Sequence, residues 1–174
     1  MPTLALLRGI NVGGHRKVPM PALKAAFEQL GLSNVQTYIQ SGNVVFESEI
    51  SREALEAELE AAFGFPLSVA LRTAEQWAGM IARNPYPNEA AQDGSKVHVF
   101  LLDAEPSEER LAALRTVASG ADEWICVGRE LYLHTPNGIG RTKLNPERTL
   151  KVGATARNWR TVEKLGEMLE SAVG

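Results

Sequence analysis

Residues 34–47, Asn-Val-Gln-Thr-Tyr-Ile-Gln-Ser-Gly-Asn-Val-Val-Phe-Glu, hold the reading on which the fold turns. Positions 34–40 alternate in polarity and are rich in β-branched and aromatic types, and 43–47 form a second apolar run. Between them Ser41-Gly42 is a hairpin-turn signal, because glycine supplies the positive φ such turns require. The stretch therefore predicts two antiparallel strands, and the fold depends on what flanks them.

Upstream, residues 3–8 form a short apolar strand. Pro21 suits the first turn of a helix, Leu23, Phe27 and Leu30 recur at helical spacing, and Gly31 is placed to end it. Downstream, Ser51 can cap a helix whose inward stripe is Leu55, Leu59, Ala62 and Phe63, with Gly64 at its end and a strand at 67–72 beyond. The order β-α-β-β-α-β is the ferredoxin-like or split βαβ signature.

The rest of the chain follows a similar order. Thr73-Ala74-Glu75-Gln76 is a capping box for a helix that buries Trp77, Met80 and Ile81. Prolines, asparagines and Gly94 mark the following stretch as a linker. A strand at 97–102, a helix capped by Ser107 and a hairpin of 123–127 with 130–134 through Gly128-Arg129 come next. Asn145-Pro146 opens a short helix, and Thr155 is expected to cap a last one through Trp159, Val162, Leu165 and Leu169. The predicted fold is α+β: two similar ferredoxin-like (split βαβ) halves with a C-terminal helix. The first half is 1–84, the linker 85–96 and the second half 97–174.

Composition narrows the function. A 44% hydrophobic content is too high for disorder, and no apolar run approaches the roughly 20 residues of a membrane-spanning helix. The N-terminus lacks a basic region before its apolar run, and the lone Cys126 cannot make an intrachain disulfide, so the expected setting is cytoplasmic. The formal net charge of −3 conceals segregation. Residues 1–27 carry Arg8, Arg16, Lys17 and Lys24 and no acid, and 141–160 carry six cations against Glu147. Acids concentrate elsewhere, with six glutamates in 47–60 facing Arg52. Such segregation allows a positive field on an acidic protein, although solvated surface would show the same pattern.

Three polar motifs are candidate ligand sites. Arg8-Gly9-Ile10-Asn11-Val12-Gly13-Gly14-His15-Arg16-Lys17 is a glycine-bearing strand-to-helix connection, a place where backbone N–H groups can approach an anion. Its glycines do not fit G-x-G-x-x-G, and a long connection that needs glycine for its path would look the same. Gln40-Ser41-Gly42-Asn43 offers neutral donors and acceptors, and turn chemistry also accounts for it. Gly140-Arg141-Thr142-Lys143, with Thr155 to Arg160, would place Arg157 and Arg160 near a helix start, where cations oppose the helix dipole unless an anion joins them. The ligand-binding candidates are thus Arg8, Gly9, Asn11, Gly13, Gly14, Lys17, Gln40, Ser41, Asn43, Lys143, Arg157 and Asn158. No metal site and no cofactor is expected: His15, His98 and His134 are scattered, and Cys126 reads as a small hydrophobe.

The same motifs, with Lys17-Val18-Pro19-Met20, Tyr38-Ile39-Gln40-Ser41-Gly42-Asn43-Val44, Gly128 to Tyr132, Lys143-Leu144 and Thr155 to Val162, closely resemble the bacterial domain-of-unknown-function 1697 family. The resemblance spans essentially the whole chain. It implies a small bacterial α+β protein of two similar halves and brings no activity. The connection around Asn145-Pro146 looks a few residues shorter than the family's. The leading expectation is a small anionic or phosphate-bearing ligand, such as a nucleotide, held by Arg8, Lys17, Lys143 and Arg157 with hydrogen bonds from Asn11, Gln40, Ser41 and Asn43. A nucleic-acid-binding module and an enzyme of unrecognised type are the alternatives. The chain is poor in the exposed aromatics that RNA-binding sheets use, and the motifs hold no acid–base pair.

Overall fold

The computed structural model describes residues 2–173. The chain runs β1 (Pro2–Arg8), α1 (Met20–Gln29), β2 (Ser33–Tyr38), β3 (Asn43–Glu47), α2 (Arg52–Phe63), β4 (Ser68–Thr73) and α3 (Ala74–Ala82). After α4 (Pro87–Gln92) and a 3-10 turn at Gly94–Lys96, it continues as β5 (Val97–Leu102), α5 (Glu108–Arg115), β6 (Glu123–Val127) and β7 (Glu130–His134). A 3-10 turn at Ile139–Arg141 leads to α6 (Pro146–Leu150), β8 (Ala154–Asn158) and α7 (Trp159–Val173). The residues fall into two compact units, Met1–Gly79 with Lys164–Gly174, and Met80–Glu163.

Each unit contains one four-stranded antiparallel sheet, in the orders β2-β3-β1-β4 and β6-β7-β5-β8. Substituting β5 to β8 for β1 to β4 turns one order into the other, so the two halves share the ferredoxin-like topology. In the first unit Leu23 and Phe27 of α1 and Leu55 and Leu59 of α2 pack with Ala5, Leu7, Val44 and Phe46 of the sheet. Phe27 and Phe46 meet edge to face, with ring centroids 5.5 Å apart. In the second unit Leu102, Leu131, Leu133 and Leu150 form the corresponding cluster.

Local chemistry sets the element ends. Ser51 Oγ accepts from Ala54 N, and Gly64 closes α2 in the left-handed region. Thr73 and Gln76 form the predicted capping box: each backbone N–H donates to the other's side chain. Ala62, expected on the buried stripe of α2, is exposed, because Leu55 and Leu59 already fill the face toward the sheet. The stretch expected to be a linker carries α4, started by Pro87.

One element of the second half departs from expectation. Thr155 does not cap the last helix; it lies buried in β8, opposite Leu101. Asn158 takes the capping role, its Oδ1 accepting from Thr161 N at 3.0 Å. Ala-Thr-Ala-Arg-Asn has little intrinsic β preference, so pairing with β5 decides its conformation. With β8 in place, both halves read β-α-β-β-α-β followed by a helix.

Candidate functional site

The polar motifs of the first unit meet at one end of its sheet. The loop after β1 does not cradle a helix start. Asn11 N donates to Arg16 O at 3.0 Å, His15 N donates to Val12 O at 2.9 Å, and Val12 bridges His15. Gly13 and Gly14, with φ of 57° and 79°, turn this small finger back on itself. The helix α1 begins only at Met20, behind Pro19. The glycine pair therefore shapes a protruding finger whose exposed side chains include His15, Arg16 and Lys17. Arg16 is steadied by Phe65, whose ring lies 5.7 Å below its guanidinium.

Asn11 ties this finger to the hairpin tip. Its Nδ2 donates to Gln40 O at 2.8 Å and to Val18 O at 3.0 Å, and its Oδ1 accepts from Val18 N at 2.8 Å. Leu7 N donates to Gly42 O at 2.8 Å, close to the same junction. The hairpin loop is longer than the predicted Ser41-Gly42 pair: β2 ends at Tyr38, and Gly42 N donates to Ile39 O. Gly42 sits at φ 89°, and a Cβ there would stand 2.7 Å from Ile10 Cδ1 and 2.9 Å from Leu7 Cβ. Asn43 is wholly buried and donates to Tyr38 O and Ser41 Oγ. Asn11 and Asn43 thus act mainly by fixing the loops. Arg8, Lys17, Gln40 and Ser41 are left at least partly exposed around the junction.

Backbone strain collects in the same place. Asn11, Arg16 and Ile39 have φ of 55°, 52° and 49°, unfavourable for residues with a Cβ and most of all for a β-branched isoleucine. Val12 and Ile39 are 63% and 46% exposed. Strained backbone and exposed apolar side chains beside cations contribute little to folding, and such strain clusters where proteins bind ligands.

In the second unit, Lys143 and Arg141 line a cleft of about 320 Å³ with Ser119, Asp122 and Asn137. The last three were not among the sequence-based candidates, because serine, aspartate and asparagine next to Gly120 and Gly138 read as turn chemistry. Arg157 and Asn158 are occupied within the fold. Arg157 is 8% exposed, its Nη1 donates to Ala156 O at 2.9 Å, and burial lowers its pKa to about 10. Arg72 holds the matching position in the first unit. It lies opposite Leu4 as Arg157 lies opposite Val99, and its Nη1 donates to Leu71 O at 2.9 Å. A buried arginine at the same place in both sheets is a feature of the repeated architecture.

Burial lowers the His98 pKa to about 4, and its Nδ1 finds no hydrogen-bond partner among the described residues. Burial, helped by Glu105 and Glu130, pushes the Cys126 thiol up to about 11, so it is a poor nucleophile at neutral pH. Among the described residues no group of three His, Cys, Asp or Glu could hold a metal, and no helix is long and apolar enough to cross a membrane.

A family model described as a protein of unknown function (DUF1697) matches residues 1–132. No curated protein matches the chain. A solved structure, a conserved bacterial protein from Streptococcus pneumoniae, is similar at a TM-score of 0.71 and 25% identity. The alignment covers 97% of this chain and 98% of that one, so the likeness includes both halves.

Proposed function

We propose that this chain, which belongs to the DUF1697 family of proteins of unknown function, binds a small phosphate-bearing anion on the platform built by loop 8–17 and hairpin tip 38–43. The observation that carries the reading is the Asn11 staple. The Asn11 amide reaches Gln40 across 29 residues of sequence while bonding Val18 on its own loop, and so holds two polar motifs together beside Arg8, Arg16 and Lys17. Arginine can hold a phosphate through two parallel N–H donors, and lysine adds a mobile point charge. Gln40 and Ser41 supply neutral hydrogen bonds for the remainder of a ligand such as a nucleotide. Residues 1–27 contain no carboxylate of their own. The arrangement suits recognition, since it presents fixed charge and hydrogen-bond donors without a proton-transfer pair.

A thermal-shift panel of inorganic phosphate and nucleoside mono-, di- and triphosphates tests this. Saturating ligand should raise stability by RT ln(1 + [L]/Kd), about 2.7 kcal/mol at a hundredfold excess over Kd. The Arg16→Ala/Lys17→Ala double variant should lower the unliganded melting temperature by only about a few degrees, from the lost Arg16–Phe65 contact, and lose most of that response. A flat response of the unaltered protein at millimolar ligand would overturn the reading.

A second reading rests on shape. The cations sit on a projecting finger with Val12 and Ile39 exposed nearby, a form that also suits a single-stranded nucleic acid. Tyr38, half-buried at the end of β2, is the aromatic ring nearest in sequence to the tip. Fluorescence anisotropy with short RNA and DNA oligomers, read at two salt concentrations, separates this reading from the first.

A further inference from the structure

The edge strand β6 differs from its counterpart β2 in the first unit. β2 reads Ser-Asn-Val-Gln-Thr-Tyr, its register with β3 shifts between Ser33 and Gln36, and Asn34 stands at φ 51°. A bulge and polar side chains of that kind blunt a sheet edge against further pairing. β6 reads Glu-Trp-Ile-Cys-Val and pairs with β7 in unbroken register from Glu123–His134 to Val127–Glu130. It contains no lysine, no proline and no bulge. Ile125 and Val127 are 44% and 40% exposed and, being two apart on a strand, lie on one face.

The free hydrogen-bonding groups of this edge follow from the hairpin. Gly128-Arg129 is a two-residue turn with Gly128 at φ 59°, so the flanking pair Val127–Glu130 is of the hydrogen-bonded kind. Alternation then turns the main-chain groups of Ile125 and Glu123 toward β7 as well. The N–H and C=O of Trp124 and Cys126 are left directed away from the sheet. An antiparallel partner whose outward groups have the same spacing would satisfy all four. A second copy of β6, turned about a two-fold axis at Ile125, has that spacing. Trp124 of each copy then pairs with Cys126 of the other, and the two Ile125 residues meet as a close, non-hydrogen-bonded pair. Val127 faces Glu123 across the junction. The charges agree, since Asp122 and Glu123 stand at the start of the strand and Arg129 lies just beyond its end, so antiparallel pairing brings the acids of one copy close to the base of the other.

We infer that β6 is a self-association edge, through which two copies of this chain join their second-unit sheets into one eight-stranded sheet. The interface is isologous, as two-fold homodimers require. It rests on strand pairing and two apolar side chains per copy, so it belongs with small, reversible interfaces.

Light scattering after size exclusion tests the inference. At roughly 100 µM, a concentration suited to a small interface, the protein should weigh about twice its chain mass of 18.9 kDa. Ile125→Lys should return it to a single-chain mass and stay folded, because the side chain it replaces is already exposed; its melting temperature should match that of the unaltered protein diluted until it too is a single chain. The register is tested by cysteine placement in a Cys126→Ser background. Ile125→Cys should form a covalent dimer under mild oxidation, and Glu123→Cys, which lies opposite Val127 and not opposite itself, should not. A single-chain mass for the unaltered protein, a dimer insensitive to Ile125→Lys, or equal cross-linking by the two cysteines would each overturn the proposal.

Discussion

Gly42 shows how a residue can look functional and be required by geometry. Its φ of 89° already disfavours a side chain, and Leu7 and Ile10 occupy the space where a Cβ would go. Gly31 has a similar φ of 82° and no atom within 4 Å of its would-be Cβ. The pair isolates the steric contribution. Gly31→Ala should cost about 1–2 kcal/mol from conformational strain alone. Gly42→Ala adds overpacking against Leu7 and Ile10, for a total of about 2–5 kcal/mol. Urea unfolding of both variants measures the difference, and equal losses would show that the contact relaxes freely. The Gly42 result also bears on binding, because the backbone that strain would displace includes the Gly42 carbonyl held by Leu7 N.

At the scale of elements, the caps carry most of what the sequence makes readable. Ser51, Ser107 and the Thr73–Gln76 box each precede an apolar stripe at helical spacing, and each caps the helix it announces. β8 was not readable in this way. Ala154 to Asn158 offers one β-branched residue, and what makes it a strand is β5, more than fifty residues away in the chain. The site divides along the same line. Its polar residues are legible one motif at a time, as glycine, asparagine and serine turn chemistry with cations beside it. Their convergence depends on the Asn11–Gln40 bond, a contact across 29 residues that no spacing rule reveals. The turn at Gly13-Gly14 is legible as glycine chemistry, but its folding into a finger depends on the bridge between Val12 and His15. Correcting the last cap from Thr155 to Asn158 gives a direct check. Asn158→Ala removes the acceptor for Thr161 N and should cost about 1 kcal/mol, with Asn158→Asp close to the unaltered protein. Thermal unfolding of the two variants reads it.

For the whole molecule, the governing quantity is where charge lies. The chain is acidic overall at −3, yet its first 27 residues carry cations only, and the acids of 47–60 lie on and before α2. Three of those cations, Arg8, Arg16 and Lys17, belong to one loop and attract an anion locally, while the acids elsewhere on the chain disfavour a long polyanion. Salt therefore distinguishes the two kinds of ligand. A small phosphate ester held by two or three cations loses affinity only through screening, expected to be about threefold or less between 50 and 200 mM salt. A single-stranded nucleic acid contacting three phosphates releases condensed counterions with a log–log slope of about −0.7 per contact, which over the same range is a loss of roughly twentyfold. The expected result is the shallow dependence, with Arg16→Ala/Lys17→Ala reducing affinity at both salt concentrations by a similar factor. A steep slope that the double variant flattens by about 1.4 would assign the platform to nucleic acid, because each cation removed releases one fewer set of counterions.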